Sequence, residues 1–185
     1  APFFLEGGRL TAHNVHWVRE GDWLKPAAST EFAQDRTFGY AHSDLRQWVE
    51  EKTGGEVRAA GVVSIGLDVI RGEGPQGVAE VLSGFQQGRI GIVNALSYRD
   101  LEITVWALLQ AIAAGKRFLF RTAASIVKVL GGMPDRGLLS TDELYPHPDA
   151  SASCGLTIAG SYVQRTTDQL HVALEGPDLH GIELM

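Results

Sequence analysis

Residues Ile90–Gly115 read IGIVNALSYRDLEITVWALLQAIAAG, and this stretch decides the fold class. Ile90 to Ala95 is a short β-branched run, the pattern of a buried strand. Ser97 follows, with Asp100 three residues on, which predicts a capping box at a helix start. The helix then places Leu101, Val105, Leu108, Leu109 and Ile112 on one face and stops at Gly115. A buried strand running directly into an amphipathic helix is one half of a βαβ unit.

The same alternation extends in both directions. Upstream, Ser43 is the expected N-cap of a helix carried by Leu45, Trp48 and Val49, with Gly54-Gly55 as its stop. Gly61 to Leu67 (GVVSIGL) reads as a buried strand, and Pro75 to Gln87 as a helix bearing Val78, Val81, Leu82 and Phe85. Downstream, Arg117 to Arg121 (RFLFR) reads as a short strand and Ala123 to Leu130 as a short helix. Four strand–helix alternations predict an α/β fold with a mostly parallel sheet flanked by helices.

The ends are less regular. Ala1 to Leu5 is an apolar run ending in Glu6-Gly7-Gly8-Arg9, the pattern of a buried strand reaching its turn, and Asn14 to Val18 is a second strand candidate. Domains seldom begin inside a strand, so further chain is expected upstream. Trp23 to Arg36 reads as irregular. Met133 to Ser153, with Pro134, Pro146, His147 and Pro148, reads as a linker with a helical turn at Thr141 to Leu144. Gly155 to Gly160 (GLTIAG) reads as a strand and Thr166 as the cap of a helix ending at Gly176. Ile182 to Leu184 would begin another strand. The expected organisation is one domain over 1–132, a linker over 133–154 and the incomplete start of a second α/β domain over 155–185.

Composition excludes several classes. The 185 residues are 44% hydrophobic, and 16 Lys and Arg against 22 Asp and Glu leave a formal charge of −6. An acidic chain without a basic stripe is not built to bind nucleic acid. No apolar run is long enough to span a membrane. A single cysteine, Cys154, can form no internal disulfide, and no basic-then-apolar leader opens the sequence, so a cytoplasmic setting is expected. Cys154 also has no evident His/Asn partner for nucleophilic catalysis. His13 and His16 lie three apart in a strand-like region and so point to opposite faces, which offers no shared metal site.

Four places could hold a ligand. Glu6, Gly8 and Arg9 follow a strand, where an arginine fork can clamp a carboxylate or phosphate; the bland alternative is a Glu6–Arg9 ion pair on an ordinary loop. Arg121 and Thr122 end a predicted strand and make a weaker anion site, against the usual reading of a solvated charge. Gly160 and Ser161 precede a helix start whose free amides suit phosphate or hydroxyl groups. Gly72 to Gly77 fits G-x-G-x-x-G, a dinucleotide signature, but Asp68 to Arg71 separate it from the strand and Pro75 removes a donor, so it reads as a surface turn. Neither a P-loop nor a protein-kinase motif set is present.

Five spaced blocks carry a wider likeness: PFFLEGGRLT (Pro2 to Thr11), TEFAQDRTFGY (Thr30 to Tyr40), LRQWVEEKTGG (Leu45 to Gly55), GKRFLFRTAAS (Gly115 to Ser125) and GSYVQRTTDQL (Gly160 to Leu170). In this order they resemble the four-carbon acid sugar kinases, a family long without assigned function and in part labelled Hrp-dependent type III effectors. The resemblance implies ATP- and Mg-dependent phosphorylation of a sugar acid such as threonate or erythronate. It implies substrate contacts at Glu6, Gly8 and Arg9 and an ATP contact at Gly160 and Ser161. Family blocks rich in aspartate and a glycine-rich phosphate loop are not in this sequence, so the catalytic base is expected elsewhere and the chain alone is expected to be inactive. The alternatives are a non-catalytic, effector-like interaction module and, more remotely, a dinucleotide-binding oxidoreductase.

Overall fold

The computed structural model describes residues 2–144, 155–161 and 163–183. Cys154 and the later part of the expected linker, including Pro146, His147 and Pro148, lie outside the described residues, as does Leu184. The chain divides into two compact units, Ala1–Pro134 and Asp135–Met185.

The first unit has an α/β fold. Its opening is a meander of β1 (Arg9–Ala12), β2 (Val15–Glu20) and β3 (Trp23–Pro26), paired antiparallel. The β1–β2 turn consists of His13 and Asn14 alone, both left-handed at φ 51° and 65°. That backbone matches strand twist, and asparagine tolerates it better than most residues. Helix α1 (Leu45–Lys52) follows, then β4 (Val63–Ile65), a π-helical turn (Val69–Glu73), α2 (Gly74–Ser83), β5 (Gly91–Val93), α3 (Tyr98–Ala113) and α4 (Ala124–Leu130). β4 and β5 pair in parallel, the crossover running through α2. A single bridge between Thr11 and Ala95 joins the meander to the parallel pair, with backbone bonds of 3.0 and 2.9 Å.

Three apolar clusters hold these layers. Phe3, Leu10, Ala95, Leu101, Val105 and Ile126 pack the meander against α3 and α4. Ile65, Ile70, Val78, Leu82, Ala107 and Leu108 pack α2 against α3, and Val49, Val62 and Ile92 seat α1. Ser97 accepts from the Asp100 N–H and the Asp100 carboxylate accepts from the Ser97 N–H, completing the expected capping box.

Several expectations are corrected. Arg117 to Arg121 forms no strand: Phe118 packs into the α2–α3 cluster and lies 6.4 Å from Phe85, so aromatic insertion replaces ladder pairing. Asp44, not Ser43, caps α1 through the Arg46 N–H, while Ser43 Oγ accepts from Ala28 N at 2.8 Å. Helix α2 stops at Ser83, short of Gln87. Phe3 to Leu5 forms no strand, only a Phe4–Arg9 bridge, and Trp23 to Pro26, read as irregular, is β3.

In the second unit, α5 (Thr141–Leu144) and α6 (Gln164–Leu174) are helical, and none of the described residues is buried. Gly155 to Gly160 is no strand, having no partner to pair with among the described residues, and Ile182-Glu183 is not one either. Val163 rather than Thr166 occupies the N-cap of α6.

Candidate functional site

The hairpin Phe4–Arg9 carries the clearest ligand geometry. Phe4 and Arg9 exchange backbone bonds of 2.9 and 2.8 Å, and Gly8 N donates to Leu5 O at 3.0 Å. Gly8 is left-handed, φ 66°, and a Cβ there would stand 2.8 Å from Arg19 Cβ. The turn therefore requires glycine for both backbone and space. Arg9 then enters β1 with its guanidinium 4.6 Å from the centre of the Phe32 ring. Among the described residues no carboxylate pairs with it, and burial draws its pKa down against the opposing pull of Tyr40 and Glu20. It is a partly desolvated cation with its fork uncommitted to an acid.

Beside Arg9 and the more distant charge of Glu20, two neighbouring groups are polar and neutral. Opposite Thr11 on β2, His16 places Nδ1 3.1 Å from Leu10 O and 3.3 Å from Thr11 Oγ1. Burial first, and the Arg9 charge second, push its pKa down to about 4. The imidazole is neutral at pH 7. A carbonyl can only accept, so Nδ1 carries the proton and Nε2 is left as an acceptor. Burial raises the Tyr40 hydroxyl, with a Thr30 hydrogen bond and the Arg9 charge opposing it, so that phenol too stays protonated. Arg9 thus stands beside two neutral groups, His16 and Tyr40.

Glu6 does not pair with Arg9. Its Oε1 accepts from the Tyr98 hydroxyl at 2.7 Å, which tethers the hairpin tip to the start of α3. The ion-pair alternative for this loop is therefore not realised.

The carboxyl ends of β4 and β5 hold a second polar group. Asn94, 1% exposed, accepts from Asn14 N at 2.7 Å and donates from Nδ2 to Asn14 Oδ1 and Ile65 O, each at 3.0 Å. Ser64 Oγ donates to the same Asn14 oxygen at 2.5 Å. Arg71, on the π-helical turn, forms two 2.8 Å bonds to Asp100. These groups hydrogen-bond one another and tie β4, β5 and the turns beside them together. Sequence reading took Asp100 only as a capping acid and passed over Asn94, although an asparagine ending the apolar run IGIVNA was the available signal.

The other candidates fall on other elements. Arg121 sits 4.9 Å over the Trp48 ring of α1, and Thr122 follows it in the same segment outside helix and strand. Gly72 to Gly77 is helical rather than a strand-terminal loop: Gly72 falls in the π-helical turn and Gly77 in α2, where a Cβ would collide with Glu73. That arrangement lacks the strand–turn–helix setting the dinucleotide reading needs. Ser161 belongs to the second unit, where its Oγ accepts from the Thr166 hydroxyl at 3.0 Å, and Gly160 beside it is exposed.

Among the described residues no three His, Cys, Asp or Glu side chains converge to hold a metal ion. None of the helices among these residues is long and apolar enough to cross a membrane. Residues 1–130 match the model of a family described as a sugar-binding N-terminal domain. No curated protein matches the chain.

Proposed function

The chain belongs to the family of sugar-binding N-terminal domains, and from that premise we propose that it holds the sugar-acid site of an ATP-dependent four-carbon acid sugar kinase. The observation that carries this reading is the Arg9 guanidinium, stacked on Phe32, partly desolvated and without an acidic partner among the described residues. Such a fork receives a carboxylate through two parallel hydrogen bonds. The neutral His16 adds an acceptor of the kind a sugar hydroxyl needs. A four-carbon aldonate, one carboxylate followed by hydroxyls, matches that set.

On this reading residues 1–132 are part of the sugar-acid domain, 133–154 its linker and 155–185 the opening of the nucleotide-binding domain. Arg121 and Thr122 are a secondary anion site at most. Gly160 and Ser161 would contact ATP, but two exposed residues do not enclose a nucleotide. No three His, Cys, Asp or Glu side chains converge among the described residues, so Mg would be held with help from the nucleotide's phosphates. The catalytic base belongs to the family's aspartate-rich segments, and the expected setting is the cytoplasm.

Calorimetry with threonate and erythronate tests the proposal. Both should bind, the matching sugar alcohols should not, and Arg9→Ala should weaken binding at least about tenfold, the loss expected for a charge-assisted pair. Arg9→Lys should recover only part, because an ammonium lacks the planar fork. Equal binding by Arg9→Ala would overturn the reading, and capture of a protein partner with no aldonate binding would favour the interaction module instead.

A further inference from the structure

The hairpin that presents Arg9 is held from outside. Its tip, Leu5 to Gly7, is exposed, and it is closed by three backbone bonds. Glu6 at that tip is nevertheless gripped by the Tyr98 hydroxyl, 92 residues away in sequence, at 2.7 Å. Tyr98 is itself immobilised by contacts that do not involve this bond. Its ring meets Phe3 edge-on at 5.6 Å and 88°, and Lys128 Nζ lies 4.3 Å over its face. Ser125, 3% exposed, donates its hydroxyl to the phenol oxygen at 3.3 Å. A rigid donor on the helical layer thus fixes a carboxylate on the exposed tip of the hairpin.

We propose that Tyr98 is a positioning residue, its hydroxyl holding Glu6 and thereby setting the hairpin so that the Arg9 guanidinium lies over Phe32 in the orientation that receives a carboxylate. Glu6 acts on the hairpin and not on the ligand. The inference rests on the reading of Arg9 as the sugar-acid clamp, but the latch has a readout of its own. The free energy of opening a short hairpin is set by the contacts at its tip, and amide exchange measures it locally.

The test compares Tyr98→Phe, Glu6→Ala, Glu6→Gln and the double variant Tyr98→Phe/Glu6→Ala. Tyr98→Phe keeps the ring and its contacts with Phe3 and Lys128, and Glu6→Gln keeps an acceptor oxygen. Hydrogen exchange at the Gly8 and Arg9 amides should quicken about tenfold in Tyr98→Phe and in Glu6→Ala, with no further gain in the double variant. Glu6→Gln should restore most of the protection, and the Val63 and Asn94 amides should not change. Threonate affinity should fall about tenfold in the same two variants, in Glu6→Ala at an unaltered melting temperature, whereas Tyr98→Phe also leaves the buried Ser125 hydroxyl without its acceptor. Unchanged exchange in Tyr98→Phe overturns the latch, as does additivity in the double variant. A loosened hairpin that binds threonate with wild-type affinity overturns the positioning role while leaving the sugar-acid reading intact. If the wild-type chain binds no threonate yet the exchange pattern holds, the ligand assignment fails and the latch stands.

Discussion

Arg71 reaches Asp100 with both arms of its guanidinium, Nε to Oδ1 and Nη2 to Oδ2, each at 2.8 Å. The pair clips the π-helical turn before α2 to the first turn of α3. Its two members differ sharply in setting: the Asp100 side chain is 2% exposed, the Arg71 side chain 50%. Asp100 also accepts from the Leu96 and Ser97 amides at 2.9 and 3.0 Å.

That asymmetry predicts unequal losses. Asp100→Ala strands two backbone donors and removes the N3 half of the capping box, and should cost about 2–3 kcal/mol in urea unfolding. Arg71→Ala removes a half-exposed partner and should cost about 1 kcal/mol or less. Equal losses would mean that the ion pair, not the cap, carries the stability. Burial raises the Asp100 carboxyl, but the Arg71 and backbone hydrogen bonds outweigh it and hold it below the ordinary value. Its contribution is therefore present above roughly pH 4 and lost as pH falls through the folded-state pKa.

His16 produces a separate and higher window. Its folded pKa of about 4 lies below the ordinary 6.5, so between those values the unfolded chain binds more protons. Stability is complete above pH 6.5 and declines as pH falls toward 4. Melting temperatures of wild type and His16→Gln over this range should diverge, the variant showing the flatter profile. Parallel profiles would sink the assignment.

Gly8→Ala forces a Cβ to 2.8 Å from Arg19 Cβ at a φ of 66°. A loss of about 1–3 kcal/mol is expected from the combined strain. A circular-dichroism melt measures it, and a neutral result would show that the turn relaxes around the added methyl.

Asn94→Ala removes the group that receives Asn14 N and donates to both Asn14 Oδ1 and Ile65 O. About 2–4 kcal/mol should be lost, since buried partners are left unpaired. Asn94→Asp should fare no better, because its carboxylate cannot donate to either oxygen. A stable Asn94→Asp would contradict the hydrogen-bond scheme.

The parts legible in the sequence are those encoded over a few residues. Ser97 and Asp100 announce α3 because the capping box closes across one turn, and the left-handed Gly54 and Gly55 end α1 by backbone freedom. Arg117 to Arg121 was illegible for the opposite reason: an alternating aromatic run can pair as a strand or insert into a core, and only the position of Phe85 decides. Arg9 stood out as a clamp, but Phe32 beneath it did not, nor did Tyr98 behind Glu6. Those partners are chosen by the meeting of layers, which no local period records.

The two-residue turn at His13 and Asn14 has a consequence for how this chain can be altered. Hairpin tips are normally where a protein accepts extra residues at little cost. Here Asn14 is at once the end of a tight turn, a partner of Asn94 and Ser64, and the carbonyl that receives Leu45 N at 2.8 Å. One added residue would shift the pairing of β1 with β2 and pull three remote segments out of register together. The tip of this hairpin is a keystone, closed to the insertions and grafted peptides that a hairpin tip would ordinarily invite.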